Sequence, residues 1–291
     1  MKKIILCLLL FNLSLFSQNY IEKLYEAIED DDIEEIKKIV NIYDVDINNT
    51  FLVKEQSAMG ATFEGEYLKL TPLNFAIECN NLEAVSTIIK LGANIEYKTE
   101  CKGYYGSYSF TPLMYCVNSY ESTEKIVSLL IQNGVNINTK NRYGTTALMY
   151  AAYSHDSKCV DLLIKNKADI NIKDKNKRNA LIYSCMNSDW GLYGSLNPDV
   201  LKSLINAGAN INEIDEEGNT ALLYAIDVYN EAFGWYDDEN DDYLVDALAD
   251  TYKAIKLLID NGSNVNIKNK NGETSLSSGK LTELLIDSGA Y

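Results

Sequence analysis

Thr71-Pro72-Leu73-Asn74-Phe75-Ala76 is a phrase that the chain repeats. It returns as Thr111-Pro112-Leu113-Met114-Tyr115-Cys116, Thr146-Ala147-Leu148-Met149-Tyr150-Ala151, Asn179-Ala180-Leu181-Ile182-Tyr183-Ser184 and Thr220-Ala221-Leu222-Leu223-Tyr224-Ala225, with a remnant at Thr274-Ser275-Leu276. Each copy is followed by a second phrase. Ile88-Ile89-Lys90-Leu91-Gly92-Ala93-Asn94-Ile95 is echoed at Leu130–Ile137, Leu163–Ile170, Leu204–Ile211, Leu258–Val265 and Leu285–Ala290. Two halves recurring in register over most of the chain are the signature of stacked repeats, each too small to bury its own apolar face.

The residue types fit two helices per copy. Thr71 and Thr111 are suited to accept the orphan amides of a first turn, and Pro72 and Pro112 stand where no amide hydrogen is needed. Leu73 and Ala76 fall on one helix face, and the small residue lets a neighbouring helix come close. A second apolar helix follows, as in Val85-Ile88-Ile89 or Val160-Leu163-Ile164. Gly92, Gly134, Gly208, Gly262 and Gly289 stand where a helix ends in the left-handed conformation. Lys167 occupies that position in one copy, a mildly strained choice for a residue with a Cβ. Tyr20–Ile28 and Ile33–Val40 read as an atypical, acidic first pair.

This pattern resembles the ankyrin-repeat family, of the bacterial type with an N-terminal signal peptide. The resemblance implies an all-α solenoid of about seven helix-pair repeats with hairpin fingers, over approximately 19–48, 69–97, 109–138, 144–172, 178–212, 218–267 and 272–291. It also implies a concave protein-binding surface and no catalysis. The histidine that follows leucine in the family is replaced here by Asn74, Met114, Met149, Ile182 and Leu223, which weakens local hydrogen bonding.

The threonine positions step by 40, 35, 33, 41 and 54 residues against a family step of roughly 33. The excess marks insertions on exposed edges. Asn49–Leu70 and Lys98–Phe110 enlarge two fingers, the first with a hairpin over its second half. Asn187–Asp199 and Val228–Asp250 lengthen two helix–helix links, the second with an extended outer helix. The second enlarged finger carries Tyr104, Tyr105 and Tyr108, and the next carries Arg142 and Tyr143. Tyrosine gives large contact area at low rotamer entropy, so these residues are the candidate protein-binding set. The chain has 21 tyrosines, so packing of these rings on neighbouring fingers is the competing reading. Trp190 and Trp235 lie in the two helix–helix inserts, as a small satellite core or as an anchor for a partner.

Composition bounds the rest. A net charge of −16 disfavours nucleic acid and anionic membranes. Met1-Lys2-Lys3 followed by an apolar run to Phe16 has the layout of a signal peptide, predicted as 1–18. An exported, monomeric protein with no membrane insertion after cleavage is expected, or a tethered one if the segment is retained. No cofactor or metal is expected. Cys79, Cys101, Cys116, Cys159 and Cys185 show no framework spacing, and buried thiols are expected. His155 alone represents histidine, in an expected surface turn, and no nucleophile pair, Gly-rich phosphate loop or HExxH occurs. Two alternatives stay open: calcium held by the acidic 227–250 insert, though without EF-hand spacing, and a hydrolase site built from the inserts.

Overall fold

The structure is a computed structural model, and it describes residues 19–43, 45–54, 67–103, 106–118, 123–186, 195–234, 242–278 and 281–289. Two compact units divide the chain, Met1–Asn136 and Ile137–Tyr291.

In the first unit, a helix over 19–29 (α1) is followed by α2 (Ile33–Tyr43), α3 (Pro72–Glu78), α4 (Leu82–Lys90), α5 (Pro112–Val117) and α6 (Glu124–Gln132). The inner helix α3 packs on α5, and the outer helices α2, α4 and α6 pack in turn. Two antiparallel ribbons form the fingers. β1 (Phe51–Lys54) pairs with β2 (Tyr67–Leu70) in the register Phe51↔Leu70, and β3 (Thr99–Gly103) pairs with β4 (Gly106–Phe110) in the register Thr99↔Phe110. The Tyr25 hydroxyl donates to the Leu70 carbonyl at 2.5 Å, and its ring lies 4.8 Å from Phe75, which ties α1 to the start of α3.

In the second unit, inner helices α7 (Ala147–Tyr153), α9 (Ala180–Tyr183), α11 (Ala221–Gly234) and a 3-10 turn (Ser275–Ser278) form one layer. Outer helices α8 (Ser157–Lys165), α10 (Pro198–Asn206) and α12 (Asp242–Asp260) form the other, and α13 (Thr282–Asp287) packs on the 3-10 turn. Leu148, Ala151, Ala152, Leu181, Ala225 and Leu222 from the inner layer and Val160, Leu163, Leu204 and Leu258 from the outer are buried between them. Among the described residues this is an all-α repeat architecture of six helix pairs and a 3-10 turn paired with α13, with ribbon fingers in the first unit.

One capping bond recurs. Thr71, Thr111, Thr146, Asn179 and Thr220 each accept from the amide three residues on, at 2.9–3.4 Å. One closing bond recurs too: Gly92 and Ala93 donate back to Ile89 and Ile88, and the pattern returns at Gly134, Gly208 and Gly262. Lys167 takes the same conformation at φ +68°, so it does carry the strain expected of it. The Asn-rich turns form a ladder. In the first unit Asn48 accepts from the amide of Asn94. In the second, Asn138, Asn171 and Asn212 accept from the amides of Asp169, Asn210 and Asn264.

Three expectations need correction. Cys79 is the C-cap of α3 and is exposed, whereas Cys116, Cys159 and Cys185 are buried. His155 lies in the helix–helix turn at φ +54°, as Asn80 does at +49°, but it is half-buried rather than fully exposed. Its Nδ1 is buried with no hydrogen-bond partner among the described residues, and burial pushes the ring down to about 4, so it is neutral near pH 7. The 227–250 insert is not mainly a link. Gly234 ends a 14-residue α11 and Asp242 begins a 19-residue α12, so both helices are lengthened and only 235–241 lie outside the described residues. The longer α12 has a structural use: Thr251 is fully buried and accepts from the Leu196 amide, which pins the fifth repeat's link.

Candidate functional site

Four fingers of the second unit precede α7, α9, α11 and the 3-10 turn. Each is closed by a side chain five residues ahead of the capping position: Asn141, Asp174, Asp215 and Asn269. A short finger pairs with itself once, the amide of Asn141, Asp174, Asp215 or Asn269 donating to the carbonyl four residues on at 3.0 Å, and its remaining amides need another acceptor. Asn141 Oδ1 accepts from Tyr143 and Thr145, Asp215 Oδ1 from Glu217 and Asn219, and Asn269 Oδ1 from Asn271 and Glu273, all at 2.8–3.0 Å. Asp174 Oδ1 accepts from Arg178 at 2.8 Å.

The other end of each side chain reaches the following inner helix. Asn141 Nδ2 donates to the Tyr150 hydroxyl at 3.0 Å, and the hydroxyls of Tyr183 and Tyr224 donate to Asp174 at 2.8 Å and Asp215 at 2.7 Å. Burial pushes the Tyr183 hydroxyl up to about 12; burial and the Asp215 bond do the same at Tyr224. These tyrosines hold finger to helix where the family's histidine is missing. The sequence carries the signal, a tyrosine four residues after the caps Thr111, Thr146, Asn179 and Thr220, but there it reads only as part of the opening phrase.

Neighbouring fingers are joined through backbone. Lys175, Glu216 and Lys270 donate to the carbonyls of Tyr143, Asn176 and Glu217, each at 2.8 Å. The approach is close enough that a Cβ on Gly144 would stand 3.0 Å from the Asp174 Cα. The row is therefore joined by backbone bonds from finger to finger.

Of the sequence-predicted residues, Arg142 and Tyr143 stand at the tip of the first of these fingers. The Arg142 guanidinium lies 4.7 Å over the Tyr143 ring and donates to its hydroxyl at 2.6 Å, and both residues are exposed. Tyr108 lies on β4 opposite Cys101. Tyr104, Tyr105, Trp190 and Trp235 lie outside the described residues. On the inner face, Tyr153 packs edge-on to Tyr183 at 6.3 Å, and Met186 accepts from Arg178. Charge changes sign along the row: the fingers 139–145 and 172–178 carry Lys140, Arg142, Lys173, Lys175, Lys177 and Arg178, and 213–219 carries Glu213, Asp215, Glu216 and Glu217.

Among the described residues, no group of three or more histidine, cysteine or acidic side chains is placed to hold a metal ion. No described helix is long and apolar enough to cross a membrane. Burial pushes the Cys185 thiol up to about 12, and partial burial with Glu29 and Glu78 pushes Cys79 up to about 11, so neither is an activated nucleophile.

A family model described as ankyrin repeats (3 copies) matches residues 24–141, 99–174 and 148–233, together more than half of the chain. A solved ankyrin repeat domain of Bcl-3, described as a unique member of the IkappaB protein family, superposes with a TM-score of 0.60 at 19% identity, covering 91% of this chain and 96% of that one. An ankyrin repeat domain from Acinetobacter baumannii AYE gives 0.56 at 22% identity, covering 76% and 98%. At these identities the likeness shows the fold alone. No curated protein matches the chain.

Proposed function

The chain belongs to the ankyrin-repeat family, and from that premise we propose that it is an exported, non-catalytic scaffold that binds another protein through its fingers and inner helices. Ankyrin repeats are in general protein–protein interaction modules. The observation that carries the reading here is the finger row of Ile137–Tyr291. Its fingers are fixed to one another by backbone bonds, fixed to the helices by tyrosine hydroxyls, and tipped by the exposed Arg142–Tyr143 pair. A surface ordered beforehand loses little entropy on binding, and stacked Arg and Tyr are the side chains most often found at the energetic centre of an interface.

Residues 19–291 serve as bait in a pull-down from envelope and medium, beside an Arg142→Ala/Tyr143→Ala bait of matching circular dichroism. A partner enriched by the first and lost by the second is expected. Equal recovery on both would remove the finger tip from the interface, and no enriched partner on either would count against protein binding. Export rests on the Lys2-Lys3 start and the apolar run to Phe16. Fractionation with N-terminal sequencing should find a chain beginning near Asn19 outside the cytoplasm; an intact Met1 retained in the cytoplasm would end that part of the reading.

A further inference from the structure

The finger row is basic where the chain as a whole is acidic. The fingers 139–145 and 172–178 bring six cations together, and within them stands one acid, Asp174. That carboxylate is buried and taken up by Arg178 and Tyr183, so it does not face solvent. Lys173 is neutralised by Glu213 at 2.7 Å. Arg142, Lys175 and Lys177 are exposed and have no carboxylate partner among the described residues. In a chain of net charge −16, three such cations on two hydrogen-bonded fingers leave a local positive field. Salt screens acids beyond about 8 Å, and Glu216 and Glu217, on the finger bonded to Asn176, bound this field on one side.

Lys177 adds a second, independent observation. It sits two residues before its capping position at φ +64°, where the other three fingers place Gly144, Gly218 and Gly272 at +81° to +84°. A side chain there is strained relative to glycine. The repeat thus retains a strained lysine at a position that glycine fills elsewhere, and the gain is an exposed ammonium beside Lys175. Arg142 stands over the Tyr143 ring and spends one donor on its hydroxyl, which leaves the rest of its fork for a carboxylate.

We propose that the fingers 139–145 and 172–178 dock an acidic segment of the partner protein, its Asp and Glu carboxylates meeting Arg142, Lys175 and Lys177 and its backbone or an aromatic side chain lying along Tyr143. The proposal rests on the protein-binding reading above and names the chemistry of the partner. A carboxylate-bearing segment fits better than a nucleic acid. The next finger, 213–219, presents Glu216 and Glu217, exposed and of the wrong sign for a polyphosphate that runs on past the basic pair.

The test is fluorescence anisotropy with three labelled probes: a Glu/Asp-rich peptide containing one tyrosine, its Gln/Asn counterpart, and a single-stranded oligonucleotide. The full chain is measured beside Arg142→Gln/Lys175→Gln/Lys177→Gln and beside Glu216→Gln/Glu217→Gln. These are surface changes, and matching circular dichroism checks the fold. The acidic peptide should bind, weaken with added salt, exceed its amide counterpart by about tenfold or more, and lose about tenfold in the first variant while the second binds as well or better. Equal binding of the acidic and amide peptides, no loss in the first variant, or tighter binding of the oligonucleotide would each overturn the proposal, as would self-association of the chain that the first variant abolishes. A natural partner captured equally by the wild type and the first variant would overturn the basic-finger site while leaving protein binding intact.

Discussion

In Ile137–Tyr291 each finger is a few residues closed on the side chain of an Asn or Asp, whereas in Met1–Asn136 the fingers ahead of α3 and α5 are two-stranded ribbons. The difference follows from length. Where the finger is short, one backbone bond closes it, and Asn141, Asp174 and Asp215 supply acceptors for its other amides. Where residues are inserted, a ladder such as Thr99↔Phe110 satisfies the backbone, and the closing position holds Glu66 or Gly106 instead. The attachment to the helix changes with it. Tyrosine hydroxyls reach Asp174 and Asp215 in the short fingers, while α3 reaches the ribbon ahead of α5 through the buried Asn74 amide donating to Thr99 at 2.6 Å. A repeat therefore keeps its helices and caps constant and solves its finger locally.

The largest effect is expected where short fingers touch. Gly218→Ala combines a left-handed φ of +81° with a Cβ 3.0 Å from the Asn269 Cα, and backbone cannot give way cheaply. A loss of about 2–3 kcal/mol is expected in urea unfolding. Gly92→Ala meets no atom within 4 Å and should lose only the conformational part, about 1–2 kcal/mol. Equal losses at the two would show that finger contact adds nothing to stability.

Next comes the hydroxyl lock. Tyr183→Phe removes a donor from a buried carboxylate and should cost about 2 kcal/mol, against about 1 kcal/mol for Tyr115→Phe, whose partner Glu78 is partly exposed. The lock has a pH signature. Burial raises Tyr183 and Tyr224 from 10 to about 12 in the folded chain, so above pH 10 the unfolded chain releases these protons first. Stability is fully present below pH 10 and falls as pH rises to about 12. Tyr183→Phe/Tyr224→Phe should flatten that fall in thermal melts; an unchanged alkaline slope would place the hydroxyls outside the lock.

Thr99→Val tests the ribbon side of the comparison. Asn74 Oδ1 is already buried without a partner, and the substitution leaves its amide unpaired as well. A loss of about 1–2 kcal/mol is expected. No loss would mean that this ribbon is held by its strand pairing rather than by Asn74.

The helices, their caps and the closing turns were legible in the sequence because the constraints on them are local: Thr146 before Ala147, Gly134 after a helix, Asn at each turn. The finger chemistry was written there too, as an Asn or Asp five residues before the cap and a tyrosine four after. Its meaning depends on a hydrogen bond across nine positions, Asp174 to Tyr183, which no helix or strand period reveals. The exposure of Cys79 and the partial burial of His155 escape sequence reading for a related reason. Both fall in turns at helix ends, and side-chain burial there is set by the packing of the flanking helices, not by local pattern. Sequence found Arg142 and Tyr143 individually but not the fixed row of fingers that joins them to Lys175 and Lys177.

The smallest effect on stability separates fold from function most sharply. Lys177→Gly relieves a left-handed lysine at the position its sister fingers give to glycine, and should raise stability by about 1 kcal/mol. It also deletes an exposed ammonium from the basic edge, so the acidic peptide should bind a few-fold more weakly to the more stable protein. Measured together, the two numbers decide why the lysine is there. A gain in stability with no change in binding would make Lys177 an uncompensated irregularity of one finger. A gain matched by a loss would mean that this finger gives up stability for its charge, a compromise that the ribbons of Met1–Asn136, closed by strand pairing, have no need to make.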